Sequence, residues 1–445
     1  MEETRQPSGK RPKLLDGEQN MASIDRLSNL PDVVLCHILS FLRTKLSVAT
    51  SVLGKRWRFL WTHVPCLDFN WDDFRKRTKT SDIIHRVILR HKANRMNTLK
   101  LDCIQCNEYQ LETLITTAID RGIRNLYLER NLDTSLQYLF NCKTIVDLKL
   151  DINRVSFFHV DNVSLPSLKK FHVFYVVCEN DEALSHFLSG CPSLEELDMG
   201  FTYVEENDYV GCINISSPTI KTLKLDLDDL TCCPSDLKYR MMIINAPTLR
   251  YLQVYGCDLE CIIVPKTMVS LVEADIYLHS YNSKLVKFLH SLCYVKCLTI
   301  SGWEFEEFVH GGVAFSDVKF DNLIKLELQL DFKWSLLVKF LEVADNLEVL
   351  ICQQDYHERG YLCPEPEQVP KCLLSRLRTI TISGMQSEEH EFDMVKYLLK
   401  NSRVLERMKL FYVRIDLKTK FQALKRISLF ERGSDVCQLD FLPDC

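Results

Sequence analysis

A chain of 445 residues, 46% hydrophobic and 26% charged, is long enough for two or three domains or one extended repeat array, and can bury a large core. Its formal charge of −5 gives no general attraction to nucleic acid or to an anionic membrane. No stretch approaches the run of about eighteen apolar residues that a membrane-spanning helix needs, and the polar opening MEETRQPSGKRPKLLDGEQN lacks the pattern of a signal peptide. The 19 cysteines are odd in number and scattered through apolar runs. They are expected to be reduced, small core side chains in the cytosol or nucleus.

Residues 1–24 are expected to form a structureless head, in which Lys10–Arg11–Pro12–Lys13 matches a minimal basic import signal. The expected location is therefore the nucleus and/or the cytoplasm. The segment NLPDVVLCHILSFL, Asn29 to Leu42, then reads as a helix with Pro31 in its first turn. TKLSVATSVL follows with Thr44 as its N-cap, and GKRWRFLWTHV forms a third helix carrying Trp57 and Trp61 on one face. Three helices in about 40 residues are near the lower limit for an independent core. Yet they hold more large apolar side chains than such a bundle can cover, so the surplus is expected to face a neighbouring domain or a second protein.

From residue 96 one phrase returns: apolar, two residues, apolar, one residue, apolar. It appears as MNTLKL, IRNLYL, IVDLKL, LKKFHV, LEELDM, IKTLKL, LRYLQV, LVEADI, VKCLTI, LIKLEL, LEVLIC, LRTITI, LERMKL and LKRISL. Successive phrases start 19 to 30 residues apart between Met96 and Leu424. This is the leucine-rich-repeat period, in which each phrase is a short strand lining a horseshoe. In DEALSHFLSGCPSLEELDM, the stripe Ala183, Leu184, Phe187 and Leu188 predicts a helix that Gly190 caps and Pro192 stops. Shorter links, such as SSPTIKTLKL and NAPTLRYLQV, join other strands. Stacked repeats supply the core that no single repeat can bury. The residue inside each L-x-L should line the concave face: Tyr127, Lys149, His172, Asp198, Lys224, Gln253, Asp275, Thr299 and Glu327. That column mixes signs and shows no aromatic cluster, so it names no ligand.

Motifs for chemistry are weak. Cys103 and Cys106 form a lone C-x-x-C with no second pair at zinc-site distance, and the adjacent Cys232 and Cys233 are poorly placed to chelate one ion. No G-x-S-x-G, phosphate-cradling glycine loop or H-E-x-x-H is present. No cofactor or metal is expected.

The stretch LSNLPDVVLCHILSFLRTKLSVATSVLGKRWRFLW resembles an F-box, close to the form in plant F-box/LRR proteins. Leu30–Pro31, Ile38–Leu39, Val48–Ala49 and Lys55–Arg56–Trp57–Arg58 match the family pattern. Arg43 stands where that group usually has Pro, and Gly54 where it often has Ser. Downstream, PEQVPKCLLSRLRTITISGMQSEEHEFDMVKYLLKNSRVLERMKL and the ending FERGSDVCQLDF resemble the FBD motif of the same family, with Cys363 near the point where a Trp is common. An acidic first turn (Glu388, Glu389, Glu391), Lys400 near the end and the stripe Phe392, Val395, Leu398 and Leu399 independently predict a helix there.

The expected organisation is a head (1–24), a small three-helix F-box (25–65), an α/β leucine-rich-repeat solenoid (66–362), and an FBD region (363–441) that continues it. The resemblance implies the substrate-recognition subunit of an SCF-type cullin–RING ubiquitin ligase. Its F-box would dock a Skp-type adaptor, and through it a cullin, while its repeats hold a target protein that the sequence does not name. The chain itself would be no enzyme. By motif position, the residues implied in adaptor contact are Leu30, Pro31, Ile38, Leu39, Leu42, Val48 and Trp57. Two alternatives stay open: a small-molecule-dependent receptor of the auxin or jasmonate type, and a repeat scaffold outside any ligase. The run Arg75–Lys100, with nine Lys or Arg against Asp82, suits an inositol polyphosphate on the first alternative. Binding of nucleic acid is not expected, since the acidic total lacks interleaved basic and aromatic residues.

Overall fold

The computed structural model describes residues 27, 29–73, 80–102, 108–129, 136–156, 162–177, 182–201, 212–227, 241–258, 262–264, 268–280, 285–302, 318–330, 334–354, 368–412 and 417–443. The basic tetrapeptide of the head, both cysteine pairs, Cys363 and the start of the basic run lie outside these residues.

Fifteen parallel strands form one continuous sheet. The first, β1 (Cys66–Phe69), was not among the recurring phrases. Then come β2 (Thr98–Asp102), β3 (Asn125–Glu129), β4 (Asp147–Ser156), β5 (Lys170–Val177) and β6 (Glu196–Phe201). A separate strand, β7 (Cys212–Ser216), precedes β8 (Thr222–Asp226); likewise β9 (Met241–Asn245) precedes β10 (Tyr251–Asp258), and β11 (Ile262–Ile263) precedes β12 (Glu273–Ser280). The main sheet continues through β13 (Cys297–Gly302), β14 (Lys325–Leu330), β15 (Val349–Gln354), β16 (Thr379–Met385), β17 (Arg407–Tyr412) and β18 (Gln438–Pro443). Thirteen of the phrases are its strands. The fourteenth, LKRISL, instead falls in the helix Leu417–Ser428, and the sheet ends on β18. The reason is local: Ala423 and Ile427 are buried four residues apart, a helical stripe that the phrase template does not distinguish.

Register comes from a repeated backbone device. One carbonyl before each strand accepts two N–H groups from the next repeat: Val146 O from Lys169 and Lys170, Lys169 O from Glu195 and Glu196, Val272 O from Lys296 and Cys297. Alternation then sends every second side chain into a single core that runs the length of the sheet, through Leu126, Leu148, Phe171, Leu197, Leu223, Leu252 and onward to Met408. Among the described residues, no further layer covers the opposite face.

The covering layer changes along the array. Helices cover both ends, among them Glu108–Asp120, Ala183–Ser189, Trp334–Val343 and Glu389–Asn401. In the middle, β7, β9 and β11 pair into a small parallel sheet with Ile213, Ile215, Met242, Ile244 and Ile262 buried. These are the shorter links of the sequence. Isoleucine supplies most of their buried side chains, and β-branched residues favour a strand. Gly190 does end the helix Ala183–Ser189, but at φ −77° it is not left-handed. A Cβ there would lie 2.5 Å from the Val163 carbonyl oxygen, so close approach of the backbone is what requires glycine. In the FBD region the helix Glu389–Asn401 starts with a capping box, and the buried Glu391 carboxylate accepts the N–H groups of Gln386 and Glu388, both at 2.9 Å. Its role is thus more specific than complementing the helix dipole. No helix among the described residues is long and apolar enough to cross a membrane.

Candidate functional site

Ahead of the solenoid stands a second, separate core: Leu35, Cys36, Leu39, Trp57, Leu60 and Val64. Its residues come from α1 (Asp32–Leu39) and from the 3₁₀ segment Trp57–His63 with Val64 beyond it; α2 (Thr44–Ala49) and a shorter 3₁₀ turn, Thr50–Val52, complete the domain. The expected third helix is therefore the tighter 3₁₀ form. Pro31 sits at the N-cap of α1, one residue earlier than expected, and its carbonyl accepts the N–H groups of Val34 and Leu35. Arg56 joins the two ends of the motif. Its Nε donates to Asp32 Oδ1 at 2.7 Å, and its Nη2 donates to the Leu30 carbonyl. The Leu–Pro corner and the Lys–Arg–Trp–Arg turn, 24 residues apart, are thereby one structural unit.

This arrangement sorts the residues expected at the adaptor contact. Leu39 is 1% exposed and Trp57 8%, so both belong to the internal core rather than the surface. Leu30 also packs partly against that core instead of projecting freely. Val48 is half-buried, while Pro31, Ile38 and Leu42 are exposed. Helix geometry explains the split: Leu35, Cys36 and Leu39 lie on one side of α1, which turns Val33, Val34, His37 and Ile38 outward. The largest exposed apolar groups were not among the named contacts. Val52 is 88% exposed, Val33 81%, Phe41 76% and Leu53 65%, with Leu46 and Phe59 exposed as well. Their signal was present in the sequence, as apolar residues lying off the 35/36/39 stripe. Residues 29–64 carry five Lys or Arg and one acid, Asp32, so the domain is net basic, with Arg56 paired to Asp32 and Lys45 to Asp73.

The small domain is fixed to the solenoid rather than tethered. Thr44, the first residue of α2 and not its N-cap, presents Oγ1 to the free edge of β1, where it accepts the N–H of Asp68 at 2.8 Å. The Thr62 carbonyl accepts the N–H of Lys92 at 2.7 Å, and the Pro65 carbonyl that of Asn97 at 2.7 Å. His91, buried at the junction, donates from Nε2 to the Val64 carbonyl at 2.7 Å and accepts at Nδ1 from Arg121 at 3.0 Å. These bonds assign its neutral tautomer.

On the open face, the column read from the sequence stands in register from Tyr127 through Lys149, His172, Asp198, Lys224, Gln253, Asp275 and Thr299 to Glu327. Much of it pairs internally. Lys149 meets Glu129 at 2.9 Å, His172 meets Asp198 at 3.3 Å, and Tyr127 donates to Asp147 at 2.8 Å. The adjoining row is different: Tyr255 and Tyr277 stack with ring centroids 4.4 Å apart and planes at 19°. The aromatic cluster absent from the column thus lies two residues along each strand. It was legible in the matching endings of LRYLQVY and LVEADIY.

Among the described residues, no three His, Cys, Asp or Glu stand together as metal ligands. Cys36, Cys142, Cys191, Cys352, Cys372 and Cys437 are buried free thiols. Burial pushes Cys191 and Cys372 up to about 12, which suppresses the thiolate needed for reactivity.

An open parallel repeat sheet here follows a small helical domain with an exposed apolar surface. Comparison with known sequences matches residues 27–69 to the F-box domain, 111–275 to the repeats of "FBD-associated F-box protein At5g56370, LRR repeats", and 365–410 to FBD. F-box/FBD/LRR-repeat protein At3g52680 of Arabidopsis thaliana is 31% identical across 94% of this chain and 93% of its own length. F-box/FBD/LRR-repeat protein At2g26030, also of Arabidopsis thaliana, is 31% identical across 93% of this chain and 98% of its own length. The chain belongs to the F-box/FBD/LRR-repeat protein family.

Proposed function

We propose that this chain is the substrate-recognition subunit of an SCF-type cullin–RING ubiquitin ligase. Its F-box docks a Skp-type adaptor, and the open face of the solenoid holds the target. The chain contributes no chemistry of its own; it raises the effective concentration of target lysines near the ubiquitin-loaded enzyme. The observation that carries the reading is the exposed set Val33, Phe41, Val52 and Leu53 on a domain whose own core is already closed by Leu35, Leu39, Trp57 and Leu60. Apolar side chains exposed in this density favour burial by a partner, at about 25 cal/mol per Å² removed from water. The net basic charge of the domain favours a partner whose rim is acidic. The backbone bonds at the junction support a fixed geometry between adaptor and target, because a rotating domain would dilute the proximity effect.

Affinity for a purified Skp-type adaptor, measured alongside thermal unfolding of the full chain, tests this. Val33→Asp combined with Val52→Asp should weaken adaptor binding a hundredfold or more, since each charge would be buried without a partner. Both side chains project into solvent, so the melting transition should stay in place. Undiminished adaptor binding by a folded double variant overturns the reading.

A further inference from the structure

Three strands of the main sheet, β5, β10 and β16, bulge at the same place, with two residues set opposite one on the next strand. In β10 these are Tyr255 and Gly256 opposite Tyr277, and in β16 Ser383 and Gly384 opposite Phe411. In β5 they are Phe174 and Tyr175, which stand between the buried Val173 and Val176 and opposite Gly200 of β6. The second residue of each pair has a left-handed backbone: φ is 71° at Gly256, 83° at Gly384 and 58° at Tyr175. Glycine adopts that conformation freely, whereas a residue with a Cβ is strained in it. Two of the three bulges thus carry the residue the backbone favours, and the third carries a tyrosine at a cost the fold does not require. Strain of this kind collects at binding and catalytic positions, and bulges re-aim side chains there.

We propose that Tyr175, with Phe174 beside it, is the recognition site for an aromatic side chain of the target protein. The inference rests on the reading that the open face holds the target. The bulge keeps two consecutive aromatic side chains out of the core, where a regular strand would turn one of them inward. Tyr175 is 44% exposed, and among the described residues neither ring has an aromatic or cationic partner, unlike the stacked Tyr255 and Tyr277. Gly200 provides the floor: a Cβ there would lie 2.9 Å from Phe174 Cδ1, so the ring rests on bare backbone. The charges at neighbouring positions are committed to one another, Lys149 to Glu129 at 2.9 Å, Lys170 to Glu196 at 2.7 Å and His172 to Asp198 at 3.3 Å. What this stretch offers a partner is ring surface, which favours another ring in stacked or edge-on contact over an ion. Asp151, directly opposite Phe174, disfavours an acidic side chain there. The bulge holds the tyrosine in place before the target arrives, which lowers the ordering cost of the contact.

The probes are four fluorescein-labelled peptides, Gly-Ser-Trp, Gly-Ser-Leu, Gly-Ser-Arg and Gly-Ser-Asp, each repeated four times, titrated into the full chain by anisotropy. The tryptophan peptide should bind at least fivefold more tightly than the leucine or arginine peptide, and the aspartate peptide should not bind. Tyr175→Ala should weaken the tryptophan peptide at least fivefold, which separates this site from the apolar surface of the F-box. Tyr175→Phe keeps the ring and should retain binding. Denaturant unfolding checks the backbone on the same position: Tyr175→Gly loses both ring and strain, so its midpoint should lie above that of Tyr175→Ala, which loses only the ring. Unchanged tryptophan binding by Tyr175→Ala, tighter binding of the arginine peptide, or a glycine midpoint at or below the alanine one overturns the proposal. Adaptor affinity measured on the same variants separates the two readings. Retained adaptor binding without a Tyr175-dependent aromatic preference sinks only this inference; that preference without adaptor binding sinks only the ligase assignment.

Discussion

At Gly190 an entire repeat junction depends on one missing carbon. The Val163 backbone passes so close that an added Cβ would sit 2.5 Å from its carbonyl oxygen and 2.6 Å from its Cγ1. The same junction carries the bond from Leu165 N–H to the Gly190 carbonyl at 2.9 Å, so the two segments cannot separate without losing it. Gly190→Ala should therefore destabilise the solenoid by about 1–3 kcal/mol, the usual range for overpacking. Denaturant unfolding of the full chain measures it, and a midpoint equal to the parent's would refute the steric account. Adaptor binding should be unaffected, because the junction lies far along the chain from the F-box. Arg56 illustrates the opposite case, a residue that acts through what it reaches. Exposed ion pairs contribute little in general, but its bond to the Leu30 carbonyl holds the entry to α1 in place.

Among the elements, the joint between the F-box and the helix Thr80–Arg90 should respond to pH. Burial, followed by the charge of Arg121 and then His63, holds the His91 imidazole below its ordinary range, although the bond to the Val64 carbonyl acts the other way. A depressed folded-state value means the unfolded chain binds the proton more readily. The stability His91 contributes is thus present above about pH 6.5 and is lost as the pH falls below it. The geometry gives the cause, because a proton on Nδ1 would displace the N–H that Arg121 donates there. Hydrogen exchange of residues 60–65 should accelerate between pH 7 and 5.5, after correction for intrinsic rates. His91→Gln, which does not titrate, should flatten that response. An equally steep response in the variant would assign the effect to another group.

The molecule as a whole has two cores of very unequal size, and they should fail separately. The F-box core numbers six buried residues, whereas the solenoid core is continuous from Leu67 to Cys437. Truncating a buried aromatic costs about 3–5 kcal/mol, comparable to all that so small a core supplies. Trp57→Ala should unfold the F-box and abolish adaptor binding while leaving the main melting transition nearly unmoved. Two-probe unfolding, with far-UV circular dichroism for the sheet and proteolysis within residues 27–65 for the helices, resolves the two events. A single transition shifted downward as one would mean the domains form a single cooperative unit.

The sequence by itself determined the repeat period, thirteen of the fifteen strands, the column of the open face and the presence of surplus apolar surface ahead of the array. Those features are periodic or local, and a strand with one buried face must announce its alternation. Tertiary structure alone decided which apolar residues are surplus. Leu39 and Ile38 are adjacent and chemically alike, yet one closes a core and the other meets solvent, because α1 packs by one side only. It also decided the end of the array, where LKRISL satisfies the strand template but buries Ala423 and Ile427 as a helix, and the middle layer, where β7, β9 and β11 replace helices. The tyrosine pair was spelled out in two repeats, but its stacking depends on how β10 and β12 pair where their register shifts after Val254, a property of neighbouring strands rather than of either segment. A short sequence reports its own conformation; which of its sides another part of the chain covers is settled only when that part arrives.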